Sequence, residues 1–212
     1  MKRLWLGIVL IFLTSGILLV SDWNQRTAAR GGVPRVALLQ HASQKVFDDG
    51  LAGLKQALAE GGFAEGRNLS IQYFNAEGDV GTSNTIAKQM AEGGYDLLLT
   101  MSTLSLQAVA NANKDGRTHH VYGVVSDPAV AGVGVSAANP LDHPKHMAGI
   151  GSMQPVESAF RLARQCYPGL KKVGVVWNAG EANSLATIRV ARAVSKQMGI
   201  ELIEAKIGRA HV

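Results

Sequence analysis

The polar groups able to do chemistry in this 212-residue chain collect just behind apolar runs. Residues 171–184 read Lys-Lys-Val-Gly-Val-Val-Trp-Asn-Ala-Gly-Glu-Ala-Asn-Ser. The apolar stretch 173–177 predicts a strand buried on both faces, and a helical pattern begins near Ser184. Asn178, Glu181, Asn183 and Ser184 fill the tip between them. Comparable tips follow earlier runs and carry His41 with Ser43, Ser102 with Thr103, and Asp127. In open parallel sheets small molecules settle at strand carboxyl ends, beside helix N-termini whose backbone N–H groups are free. Hydroxyls and such N–H groups suit a carboxylate, whereas Asp127 and Glu181 suit an ammonium. An amino acid or similar zwitterion would satisfy both poles. Taken singly, Ser102, Thr103 and Ser184 also fit helix caps, and Glu181 a first-turn acid. Their common side of the sheet favours binding.

Enzyme signatures are missing. Gly149-x-Gly151 is followed by Gln154 where a dinucleotide fingerprint needs a third glycine. There is no phosphate-cradling Gly-Lys-Ser/Thr loop and no Gly-x-Ser-x-Gly elbow. His119-His120 and His143-Pro144-Lys145-His146 lack the helical spacing and cysteine pairs of common metal sites. No catalytic pair, cofactor or metal is therefore expected. The lone Cys166 cannot form an internal disulfide; it follows Val156, Ala159, Phe160 and Ala163 at helical spacing, which predicts core packing. The formal charge of +5 and pI near 9.5 could suggest nucleic acid. The basic residues form no stripe interleaved with aromatics, so no nucleic-acid partner is expected.

The elements needed to hold these tips are legible. Strands are predicted at 35–40, 69–74, 96–100 and 121–125, separated by helices at 46–60, 83–91 and 104–112. A looser stretch, 131–146, reads as a connection between lobes. Strand 147–151, helix 155–167, strand 172–177, helix 184–198 closed by Gly199, and strand 200–205 then restart the alternation. Strands joined by single helices pair in parallel with right-handed crossovers. The expected fold is thus α/β, two doubly wound parallel-sheet lobes facing a cleft: lobe 1 at 34–142 and an incomplete lobe 2 at 143–206. Residues 207–212, Ile-Gly-Arg-Ala-His-Val, match a reading frame of a common sequencing adapter and are expected to be an artefactual tail on a truncated chain. Ahead of the lobes, Lys2 and Arg3 precede an apolar run at 4–20 bracketed by Trp5 and Trp23. No small-x-small cleavage site succeeds it, so residues 1–22 predict an uncleaved N-terminal hydrophobic helix, with 23–33 as linker. The basic start places the lobes outside the cytoplasmic face.

Four segments carry a family resemblance: Gly-Gly-Phe-Ala-Glu-Gly-Arg-Asn at 61–68, Ala-Glu-Gly-Asp at 76–79, Ser-Asp-Pro-Ala-Val at 126–130, and Asn-Ala-Gly-Glu-Ala-Asn-Ser at 178–184. Through them the chain resembles the ABC-transporter substrate-binding proteins that include tryptophan- and tyrosine-binding members. The resemblance spans most of 34–205 in order. It implies a type I periplasmic-binding fold and reversible capture of a small amino-acid-like ligand between lobes. It also implies delivery to an ABC permease and its ATPase from a periplasmic or otherwise extracytoplasmic location, here tethered to the inner membrane. Carried over by motif, Ser102, Thr103, Asp127, Glu181, Asn183 and Ser184 become binding candidates, joined by His41 and Ser43. The chain departs from the pattern in keeping a membrane anchor and in lacking the rest of the second lobe. The alternative is a ligand-sensing ectodomain of a membrane signalling system; a doubly wound enzyme stands third.

Overall fold

The computed structural model describes residues 32–208, together with a helical Thr14 and Ser15. The rest of the expected anchor, nearly all of the linker and residues 209–212 lie outside the described residues. Among those described, no helix is long and apolar enough to cross a membrane.

Within residues 32–208 twelve elements follow in chain order: β1 (Arg35–Gln40), α1 (Lys45–Glu60), β2 (Ser70–Asn75), α2 (Val80–Glu92), β3 (Leu97–Met101), α3 (Thr103–Ala112), β4 (His119–Val125), β5 (Met147–Gly151), α4 (Val156–Cys166), β6 (Lys172–Asn178), α5 (Ala182–Met198) and β7 (Glu201–Ile207). Five strands pair in the order β2-β1-β3-β4-β5, every pair parallel. The Val36–Leu39 stretch of β1 shows why the sheet is wound on both sides. Val36 and Leu38 join Leu99 and Met101 beneath Leu51, Leu54 and Leu58 of α1. Ala37 and Leu39 join Leu98 beneath Ala87 and Met90 of α2 and Val109 of α3. Strand alternation sends neighbouring side chains to opposite faces, so a continuous apolar run needs cover on both. Each fully buried leucine contributes about 2 kcal/mol.

Three sequence expectations change. The 147–151 strand does not open the second unit; it is the fifth strand of the first sheet, with Met147 beside His120 and Gly149 beside Tyr122. Residues 131–146 are accordingly a long excursion within that unit. Ala131 is buried with Leu106, Tyr122 and Met147, and Val133 and Val135 pack against them. The chain crosses to the second sheet only at residues 152–155. Second, β6 is not buried on both faces. Among the described residues it pairs with β7 alone, and Val173, Val175 and Trp177 pack against Phe160 of α4 and Ile188, Ala191 and Val194 of α5, whereas Val176 is 66% exposed. Third, Cys166 ends α4 exposed rather than in the core. Gly199 closes α5 as expected, at φ +65.

A Cβ on Gly149 would stand 2.4 Å from the Tyr122 carbonyl oxygen, so β5 can lie against β4 only with glycine there. Gly149→Ala is expected to cost about 1–3 kcal/mol, measured as a lower urea midpoint. His120 is buried in β4 with Nε2 2.9 Å from the Thr100 hydroxyl. Burial, and secondarily the charge of His146, lower its pKa from 6.5 to about 4. Below pH 6.5 the unfolded chain therefore binds a proton that the folded chain refuses. Stability is full above that pH and falls as pH drops towards 4, by about 3 kcal/mol in all. His120→Gln should flatten the pH dependence of urea unfolding over that interval; an unchanged slope would assign the acid sensitivity elsewhere.

Candidate functional site

Parallel pairing puts the carboxyl ends of β1, β3 and β4 along one rim, and the crossing at 152–155 brings the start of α5 over that rim. Between them lies a cavity of about 650 Å³. Its first wall carries His41 and Ala42 behind β1, Ser102, Thr103 and Leu104 where β3 turns into α3, and Val124 and Ser126 at the end of β4. Its second wall carries Glu181 and Asn183, with Ser152, Met153, Gln154 and Pro155 along the crossing. A smaller hollow of about 370 Å³ beside α3 draws on none of the predicted residues.

On the first wall the backbone is strained. Ser102 sits at φ 140 and Val124 at φ 54, conformations that side-chain-bearing residues avoid, the β-branched valine most of all. Val124 is accommodated because Gly50 of α1 lies beneath it; a Cβ there would come within 2.7 Å of Val124 Cγ2. The Ser102 hydroxyl accepts from the Ser105 backbone N–H at 3.0 Å, capping α3. The positive end of this helix is thereby fixed on the cavity wall. His41 is only 8% exposed, and its Nδ1 is buried without a hydrogen-bond partner. Burial pushes its pKa down, opposed by the carboxylates of Glu181 and Asp79.

On the second wall Glu181 precedes α5 without capping it through its side chain. Its Oε1 accepts from Asn178 Nδ2 at 2.8 Å. Asn178 is itself held twice: its Oδ1 accepts from Gly180 N at 2.9 Å, and its backbone N–H donates to Ser184 Oγ at 2.9 Å. Asn183 Oδ1 is buried and lacks a partner. The wall thus offers acceptors.

Of the nine residues singled out from sequence, His41, Ser102, Thr103, Glu181 and Asn183 line the cavity, and Ser43, Asp127, Asn178 and Ser184 do not. Asp127 Oδ1 accepts from Ala129 and Val130 N–H groups at 3.0 and 3.2 Å, fastening a turn. Ser43 accepts from Asn75 Nδ2 at 2.8 Å on the exposed rim. Asn178 and Ser184 brace the loop that bears Glu181. Sequence reading misses Phe47, Val124, Ser126 and residues 152–155. Ser126 is within reach as the neighbour of Asp127. The crossing is not, because the local pattern puts 147–151 in the other unit.

With the cavity so built, comparison with known proteins is direct. The chain belongs to the ABC transporter substrate binding protein family, whose model matches residues 35–211. A tyrosine-binding protein of Clostridioides difficile (strain R20291) is 29% identical over 167 residues, covering 79% of this chain and 46% of that protein. A conserved domain protein of Vibrio cholerae superposes with a TM-score of 0.76 at 29% identity, over 82% of this chain and 57% of that one. A Streptococcus pneumoniae domain solved with L-Trp gives 0.75 at 24% identity, again over 82% and 57%; at that identity the likeness is one of fold. The chain spans about half the length of the relatives it matches.

The bracing loop can be tested separately from binding. Asn178→Ala removes two side-chain hydrogen bonds at the start of α5 and is expected to cost about 1–2 kcal/mol in urea unfolding. A midpoint equal to the parent's would show that the loop stands without it.

Proposed function

We propose that this chain captures an amino-acid-like zwitterion reversibly in the cavity, as the extracytoplasmic binding component of an ABC transporter that passes its ligand to a permease driven by an ATPase. The observation that carries this reading is the opposite polarity of the two walls. One bears the N-terminus of α3 with Ser102 and Thr103; the other, although it carries the start of α5, sets the Glu181 carboxylate and the unpartnered Asn183 Oδ1 in front of it. A carboxylate suits the first and an ammonium the second. Phe47, Leu104, Val124 and Met153 supply apolar surface between them for a side chain. The names of the tyrosine-binding relative and of the L-Trp complex agree with an amino-acid ligand. No bond is made or broken. Ligand that bridges both walls favours the state in which they lie closest, with residues 152–155 as the hinge. The apolar run at 4–20 behind Lys2 and Arg3 supports tethering to the inner membrane, the binding unit lying outside.

The test is a thermal-shift and calorimetric titration with L-tyrosine and L-tryptophan. Glu181→Ala is expected to weaken binding by about 1.5–3 kcal/mol, the range for charge-assisted hydrogen bonds. Asp127→Ala should lower the melting temperature and leave affinity within about twofold, since its carboxylate fastens a turn. Equal affinities for the Glu181 variant and its parent would remove the ammonium pole.

A further inference from the structure

Resting on that reading, one property of the cavity goes beyond it. Among the residues that line it, His41 and Glu181 alone carry ionisable side chains, and neither Lys nor Arg is among them. A ligand ammonium therefore meets a full charge in Glu181. A ligand carboxylate meets no such charge, but helix N–H groups, hydroxyls, the carboxamides of Gln44, Gln154 and Asn183, and the imidazole of His41. With that imidazole neutral the lining is net negative; a zwitterion leaves that net charge unchanged, its ammonium answering Glu181 while its carboxylate meets no cation. Few arrangements are costlier in low dielectric. The charged groups facing His41 from its neighbours are all acids: Glu181 at the start of α5 and Asp79 at the start of α2. Asp48 of α1 is held by Gln40 Nε2 at 2.9 Å, and Glu77 reaches the Ser43 hydroxyl at 3.5 Å. Lys45 is exposed and paired with Asp49 at 2.8 Å, outside the cavity.

We propose that His41 is a proton-gated carboxylate subsite: a carboxylate entering the cavity draws a proton from solvent onto the imidazole, so capture of zwitterions is coupled to proton uptake. Burial biases the free imidazole towards its neutral form, and the incoming anion opposes that bias. Both ring nitrogens then donate; Nδ1, buried here without a partner, gains an acceptor only as the walls close on the ligand. The coupling makes a discriminating claim. A zwitterion should bind more tightly as pH falls, whereas an amine without a carboxylate should not, because protonated His41 repels it.

The experiment is calorimetric titration of the full chain with L-tyrosine and with tyramine from pH 8 to pH 5.5. The dissociation constant for L-tyrosine is expected to fall by up to about tenfold across that range, the effect of a bound ligand that raises the imidazole pKa by about one. That for tyramine should stay level or rise. At pH 6.5, titrations in phosphate and in imidazole buffer should differ in heat by the fraction of a proton taken up per L-tyrosine multiplied by the difference in the buffers' ionisation enthalpies. His41→Gln should remove the slope and the buffer dependence; because the buffer comparison uses the unaltered chain, it decides the matter even where that variant folds poorly. L-tyrosine binding with a flat profile and buffer-independent heat overturns the proton coupling and leaves amino-acid capture standing. Absence of binding by both L-tyrosine and L-tryptophan at every pH overturns the reading beneath it.

Discussion

Parallel strand pairing is the constraint on which the rest depends. A strand can join its neighbour in parallel only after a crossover, and each crossover here that carries a helix delivers that helix's N-terminus to the rim where the previous strand ended. The register from Arg35 opposite Ser70 to Met101 opposite Gly123 holds those rims level. Free N–H groups, hydroxyls and loop side chains of β1, β3 and β4 are thereby gathered without any of them being close in sequence. The second sheet repeats the device with β6 and α5, and the crossing at 152–155 turns its rim to face the first.

Energetically, the rim is where the fold gives something up. The interior of the first sheet is largely apolar, with Leu38, Leu39, Leu98 and Val109 fully enclosed, and His120 its one buried imidazole. The edge of the cavity instead holds Ser102 and Val124 in unfavourable backbone conformations and leaves polar atoms of His41 and Asn183 without partners. Each such feature costs stability alone, and each is tolerated because packed helices over-determine it. Two of the strained residues and two of the buried unpartnered side-chain atoms among the described residues lie around this one cavity, which is where the proposed ligand would use them.

Much of this was legible in the sequence, for definite reasons. The runs at 35–40 and 96–100 are apolar throughout, so two-sided cover and a doubly wound sheet follow from alternation. Five lining residues were found because strand ends followed by hydroxyl, amide or acidic groups are recognisable by position. The failures share a cause. Whether Met147–Gly151 joins the first sheet or the second is decided by a pairing with His119–Val125 across the intervening excursion, which local pattern does not encode. The same holds for β6: its apolar length says nothing about how many faces are covered, and Val176 is exposed because helices pack on one side only. Asp127 misled for a chemical reason, since an aspartate before proline serves a turn as readily as a ligand.

The absence of lysine and arginine from the cavity lining also bears on how quickly a solute is caught. Steering by a surface field needs concentrated charge of one sign at the mouth, and the surplus of +5 resides on other parts of the chain. A solute with no net charge feels little long-range pull in any case. Its encounter rate is then set by diffusion and by the width of the opening, and dissolved salt has little leverage over it. Selectivity has to be exercised after entry, through how long each molecule stays.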